Sequence, residues 1–300
     1  MAGGLKEVRD RIASVKNTQQ ITKAMKMVSA AKLRRAQQAI QEVRPYATRL
    51  NAILRNILAT LEEGDGGSAY GVARAVERAA VVVATSDRGL AGAFNTNIAK
   101  QAAQLLDADA YRAARAAGQV EVIAVGRKGA DYLAKRYPDV RVNRDFESLG
   151  ANPTFDNAAR LAEYLMDRFA AGTLDRVDVA YSRFRNAAMQ FPTVAQYLPV
   201  APPEAEEQVG LGRQTEYLYE PSKEELLRTL VPTILQTTLH AYVLDVAAGE
   251  HGARMTAMDK ATENADELLR DLKISYNKAR QEVITSELAE IVGGAAALEG

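Results

Sequence analysis

Cysteine is absent from the 300 residues, which excludes disulfides, thiolate metal ligands, a thiol switch and a cysteine nucleophile and points to a reducing compartment. No run of eighteen apolar residues occurs, so no segment reads as a membrane-spanning helix, and any link to a bilayer passes through partners. The opening MAGGLKEVRDR has neither the apolar stretch of a signal peptide nor the Ser-rich, acid-poor pattern of a transit peptide, and reads as a mature cytoplasmic start. Histidine occurs twice, at His240 and His251. Eleven residues apart, they share a helix face, but with no H-E-x-x-H and no carboxylate cluster beside them they read as packed or solvated rather than as metal ligands. A G-x-S-x-G elbow is also missing, as is any Ser, His and Asp arrangement. These absences argue against an enzyme acting alone.

Net charge is likewise absent overall, yet it is unevenly spread. Residues 5–61 hold 12 Lys or Arg against 3 Asp or Glu, whereas residues 221–300 hold 8 against 13. If the two ends fold back on each other they partly neutralise, at about 0 to 1 kcal/mol for each exposed pair. The positive surplus of the first end stays unmatched and attracts an acidic surface, either a protein loop or a nucleic-acid backbone.

What is present is helical rhythm at both ends. Apolar residues recur at steps of three and four through Leu5, Val8, Ile12 and Val15, then Ile21, Met25 and Val28, then Ile40, Val43, Ala47, Leu50, Leu54, Ile57 and Leu61. The far end repeats the pattern at Leu235, Leu239, Tyr242 and Val246, then Ala261, Ala265, Leu268, Leu272, Ser275, Ala279 and Val283. Such spacing lays a narrow apolar seam along a helix and calls for a partner helix. The first arm is roughly 85 Å long at 1.5 Å per residue. Pro45 is expected to kink it, and the polar stretch 17–20 makes its seam change face, so those faces need a further partner. Pro232 is expected to kink the last arm, which Ser222 caps with Glu225 three residues on. Between 247 and 265 small residues, Gly249 and Gly252 among them, predict close approach of two helices.

The middle alternates differently. Short apolar runs at 79–85, 120–125 and 177–181 read as buried parallel strands, with helices at 97–117, 128–137 and 155–171 between or after them and an edge strand at 194–198. The fold class is therefore α/β plus coiled coil: long N- and C-terminal helices in an antiparallel coiled coil, with an inserted Rossmann-like domain. Boundaries fall at 1–62, 63–220 and 221–300. After the first strand, TSDRGLAGAFN (85–95) stands where a nucleotide-binding protein keeps its phosphate loop, but neither G-x-G-x-x-G nor the P-loop spacing can be drawn there. Gly126-Arg127-Lys128-Gly129 reads as an ordinary strand-to-helix junction.

On the first arm Lys23, Lys26, Lys32, Arg34 and Arg35 form a basic row. No aromatic residue occurs before Pro45, so nothing there stacks on bases. A solvated face, an acidic protein partner and a nucleic acid remain open readings of that row. Near the far end Arg280, Gln281, Thr285 and Glu287 are polar positions on a helix that is otherwise apolar at Ile284, Leu288, Ile291 and Val292.

Four segments together carry a family resemblance: IASVKNTQQITKAMKMVSAAKLRRAQ near the start, TSDRGLAGAFN, the hinge YLYEP (217–221 with Tyr217 first), and ARMTAMDKATENADELL through YNKARQEVITSELAEIVGGAAA. The chain resembles the gamma subunits of F-type rotary ATP synthases, in their bacterial form. It departs from the common Cys-Gly-Gly after DRGL, having Ala91, Gly92 and Ala93, and it lacks the cysteine-bearing insert of chloroplast forms. The resemblance implies a coil standing inside a ring of alternating alpha and beta subunits, with catalysis in the beta subunits, none in this chain, and no cofactor. It implies a foot bound to the epsilon subunit and the ring of membrane-embedded c subunits, no nucleic acid, no direct membrane insertion, and a peripheral place on the cytoplasmic face of the bacterial plasma membrane. By matching positions it implies beta-subunit contacts at Lys23, Met25, Lys26, Arg280, Gln281, Thr285 and Glu287, and c-ring contacts at Tyr217 and Glu220. A dinucleotide-using enzyme with helical arms and a coiled-coil nucleic-acid adaptor are the rival readings.

Overall fold

A computed structural model describes residues 2–59, 70–200 and 223–299. Helix α1 spans Ala2–Ala59 and runs through Pro45. Then follow β1 (Ala79–Ala84), α2 (Phe94–Asp107), α3 (Asp109–Ala116), β2 (Val120–Val125), α4 (Arg127–Arg136), β3 (Arg141–Asn143), a 3-10 turn at Glu147–Gly150, α5 (Phe155–Ala170), β4 (Arg176–Phe184) and β5 (Gln190–Leu198). The last helix, α6, spans Lys223–Glu299 and runs through Pro232. Compactness divides the chain into residues 1–29 with 254–300, and residues 30–253.

The larger unit holds a five-stranded sheet in the order β3-β2-β1-β4-β5. β1 pairs in parallel with β2 and β4, β2 in parallel with β3, and β5 closes the far edge antiparallel to β4. β1 and β2 are buried along their whole length, which is why AAVVVA and VEVIAV read as unbroken rather than alternating runs. β5 is longer than the sequence predicted. It tolerates Pro192 because β4 is its one partner in the sheet, and an edge strand has a side on which a missing N–H costs nothing. β3 was not foreseen: three residues, Arg-Val-Asn, carry no apolar run. The single helix expected at 97–117 is two, interrupted at Ala108, whose ψ of 150° is extended.

Two buried acids sit inside this sheet, each compensated. Glu121 on β2 accepts from Arg168 of α5. Asp178 on β4 accepts from the fully buried Tyr111 hydroxyl and from Arg176 Nε at 2.7 Å. Burial first, and then the Asp178 charge, push the Tyr111 phenol far above its ordinary range, so it remains a donor. Stretches of both long helices within this unit join the same core, including Leu50 of α1 and Val231, Ile234, Leu235, Leu239, Val243 and Val246 of α6. The seam predicted at Leu235, Leu239 and Val246 thus covers the α/β layer. α5 is held to α6 by Gln236 donating to Glu163 at 3.0 Å and by an edge-to-face contact of Phe155 with His240.

The smaller unit is an antiparallel helix pair. Going along α1 from Arg9 to Lys26, hydrogen-bonded partners on α6 step backward from Tyr276 through Asp266 and Thr262 to Asp259. Its seam follows the predicted apolar rhythm at the half-buried Leu5, Val8, Ile12 and Val15 and at the buried Ala265 and Leu272, and departs from it elsewhere. Thr22 and Ser29 are buried at 8% and 3% exposure, while Ile21 and Val28 stand 60% and 57% exposed. On α6 the predicted Ala265 and Leu272 are buried together with Leu269, whereas the predicted Leu268 is 40% exposed. Burying hydroxyls is possible because each is satisfied locally: Thr22 donates to the Gln19 carbonyl and lies 2.8 Å from Thr262 Oγ1, and Ser29 donates to the Met25 carbonyl.

Candidate functional site

The end of β1 is where an open α/β sheet with this strand order would take a ligand, since the order reverses there. Here the place is filled by the chain itself. The first-turn N–H groups of α4 are all committed: Arg127 to Asp87 Oδ1 at 3.0 Å, Lys128 to the Ser86 carbonyl at 3.1 Å, and Gly129 to Thr85 Oγ1 at 2.8 Å. A carboxylate therefore sits on the N-terminus of α4, the helix that follows β2. Asn95 holds the loop by accepting from the Ser86 N–H at 2.9 Å. This arrangement is a turn closed by the chain's own hydrogen bonds.

His240 is packed rather than poised: its ring lies 3.3 Å from the Pro153 carbonyl, and burial lowers its pKa. Among the described residues no cluster of His, Asp and Glu is placed to hold a metal ion, and no described helix is long and apolar enough to cross a membrane.

The surfaces with unspent chemistry are on the helix pair. Lys23 is exposed, Met25 is half-buried, and Lys26 is paired with Asp259 across the seam. The basic row is thus divided, Lys26 being partly neutralised within the chain and Lys23 left outward. Ile21, Met27 and Val28 are exposed too, Met27 beside Lys23 and the pair Ile21 and Val28 on the opposite flank of the buried Thr22 and Ser29. Sequence reading had assigned Ile21 and Val28 to the intrachain seam; the signal that redirects them is the hydroxyl at the neighbouring positions, Thr22 and Ser29, one residue out of phase. In the larger unit Lys32, Arg34 and Arg35 are exposed as well.

On α6, Arg280, Gln281, Thr285 and Glu287 are all exposed, and Thr285 donates to the Gln281 carbonyl at 2.8 Å. The stripe Ile284, Leu288, Ile291 and Val292 beside them is exposed too. Large apolar side chains grouped on one stretch of helix mark an interaction surface more often than scattered ones do. Tyr217 and Glu220, with the YLYEP hinge and the loop 202–212, lie outside the described residues.

The chain matches the family described as ATP synthase over residues 4–298. It is 49% identical to the ATP synthase gamma chain of Cytophaga hutchinsonii over 98% of both chains, and 50% identical to that of Flavobacterium psychrophilum over 99% of both. Among solved structures, a chain of the Euglena gracilis mitochondrial ATP synthase, in an assembly of OSCP, F1 and c-ring in rotational state 3, superposes with a TM-score of 0.66. That match covers 99% of this chain and 95% of the other at 22% identity, a likeness of fold.

Proposed function

Because the chain belongs to the ATP synthase gamma-chain family, we propose that it is the central-stalk rotor of a bacterial F-type ATP synthase, coupling proton flow through the membrane sector to ATP synthesis. It is not catalytic itself; the reaction takes place in the beta subunits of the surrounding ring. One observation carries the reading. The helix pair is lopsided: around α1, one flank of the buried Thr22 and Ser29 carries the exposed Ile21 and Val28, and the other carries the exposed Lys23 and Met27. A coil whose circumference is uneven meets each ring subunit with different contacts, and contacts that differ between open and closed subunits shift their populations. Each angle of the coil then selects one set of catalytic conformations. A uniform rod would couple nothing.

In this reading Lys23 and Met25, with Lys26 behind them, meet an acidic loop of the beta subunit, and Arg280, Gln281, Thr285 and Glu287 meet a second set of beta loops. Tyr217 and Glu220 face the c-ring, and the epsilon subunit binds the α/β foot. The chain is peripheral to the membrane on its cytoplasmic face, held there by these partners. The nucleic-acid alternative finds no support in the exposed row, which offers charge and aliphatic surface without a stacking platform.

Mixing the purified chain with alpha and beta subunits should yield a complex whose ATPase activity depends on the chain, and a bead fixed to the chain should turn during hydrolysis. Equal activity with and without it would sink the reading. Removing residues 291–300 is expected to leave the thermal unfolding midpoint of the isolated chain within about 2 °C of the parent, since a surface change is worth about 0.5 kcal/mol and Ile291 and Val292 are exposed. The same truncation should lower ATP-driven ion pumping in the assembled enzyme. Global unfolding on truncation would show that this stripe is core instead.

A further inference from the structure

On α6, Tyr242, Asp245, Gly249 and Gly252 recur at steps of three and four and share one face. That face lies on β4, on the turn that follows it and on the start of α2. Tyr242 stacks on Tyr181 of β4 with 4.3 Å between ring centroids. At Gly249 an added methyl would stand 2.8 Å from the Phe94 ring, and at Gly252 it would stand 3.1 Å from the Ala187 Cα. Between Tyr242 and Gly249, the buried Asp245 carboxylate accepts from Arg44 Nη2 of α1 at 2.5 Å. The same nitrogen donates to the Phe184 carbonyl at the end of β4 at 3.0 Å. One guanidinium nitrogen ties together α1, α6 and the sheet.

Apolar packing opposes separation but is non-directional, so it resists sliding and turning weakly. A charge-assisted hydrogen bond shared between two elements is short and directional, and weakens steeply on misalignment. The glycines add a steric stop. Turning α6 by one residue would swing the side chain of Ala248 or Glu250 into the space that Phe94 fills, and that of His251 or Ala253 into the space that Ala187 fills. Resting on the rotor reading, we propose that Arg44 and Asp245, with the gaps left by Gly249 and Gly252, form the joint that stops α6 from slipping against the sheet under torque. Arg44 and Asp245 are positioning residues in this role, touching no nucleotide.

The clamp has a pH signature. Burial pushes the Asp245 carboxyl up to about 6, opposed first by the Arg44 guanidinium and then by the Phe184 backbone and Arg183. Tyr181, the other titratable group facing it, is itself pushed up by burial and by Tyr242 and stays neutral. Since the folded chain holds this proton more tightly than the unfolded chain does, the group's contribution to stability falls as pH rises from the ordinary carboxylate value to about 6. The ion pair is present only above that range, so the joint is stiffest where the carboxylate costs folding energy.

The test uses the full chain assembled with its partner subunits in membrane vesicles and reads ions pumped per ATP hydrolysed. At pH 8, Asp245→Asn and Arg44→Gln should each lower that ratio at least threefold while hydrolysis stays within twofold of the parent. The parent ratio should fall toward that of Asp245→Asn as pH drops below about 6, and the variant's should stay flat. Arg44→Asp combined with Asp245→Arg should recover at least half of the loss. Independently of charge, Gly249→Ala should lower the ratio and Phe94→Leu added to it should restore it. Unchanged ratios in Asp245→Asn and Gly249→Ala would overturn the joint. So would losses that neither pH nor the compensating changes alter, because those mark mere structural damage. Failure of the parent chain to support pumping at all would instead strike the rotor reading, and the joint with it.

Discussion

Replacing Gly126 by alanine is expected to remove most of the stability of the α/β layer, and replacing it by valine to prevent folding. Gly126 follows β2 with φ +84°, a left-handed conformation that an L side chain adopts at a cost of about 1–3 kcal/mol. Space makes the matter worse. A Cβ there would stand 2.0 Å from the Thr85 carbonyl oxygen and 2.6 Å from its carbon, and those are backbone atoms of the segment leaving β1. Neither strand end can retreat, because the Thr85 N–H donates to the Val125 carbonyl at 2.7 Å and the Gly126 N–H to the Glu147 carbonyl at 3.0 Å. Together the strain and the overlap should exceed about 4 kcal/mol, a large share of the 5–15 kcal/mol that holds a typical domain together. Gly118 supplies the control. It also has positive φ, at +68°, but an added Cβ meets nothing within 4 Å, so Gly118→Ala should cost only about 1 kcal/mol. Urea unfolding followed by tyrosine emission, in a chain with 12 Tyr and no Trp, measures both. Similar midpoints for the two variants would show that the crossing of β1 and β2 yields more than its contacts indicate.

Asp178→Ala is expected to cost about 3 kcal/mol by the same measurement, because it leaves a half-buried guanidinium and a buried phenol without the group that compensated them. Asp178 is 1% exposed, and its two oxygens serve Tyr111 and both Nε and Nη2 of Arg176. Tyr111→Phe removes one donor and leaves the Asp178–Arg176 pair intact, so its cost should be about 1–2 kcal/mol. The order of the two effects is the informative part. If Tyr111→Phe proved the more damaging, packing of the ring rather than the buried charge would govern this part of the core.

The sequence alone determined much of the architecture, since its signals are local. Continuous apolar runs such as AAVVVA and VEVIAV read as central strands and form them, and the segment after the first strand is a turn whose Asp87 and Thr85 accept from the first turn of α4. The family was legible as well, because motifs at both ends are long and specific. What the local pattern left undecided is phase. Steps of three and four identify helix faces, but which face receives the other helix depends on three-dimensional compensation. Thr22 and Ser29 turn inward because each hydroxyl has a partner, leaving Ile21 and Val28 outward. The same holds for the glycines of α6: their smallness announced a close approach, but only the tertiary structure decided that Phe94, at the start of α2, and Ala187, in the turn after β4, make it. Composition and periodicity settle which elements form, being properties of neighbours along the chain. Tertiary structure settles which face each element spends on its own fold and which it leaves for others, because that choice rests on hydrogen bonds and steric fit between residues more than two hundred positions apart, as between Thr22 and Thr262.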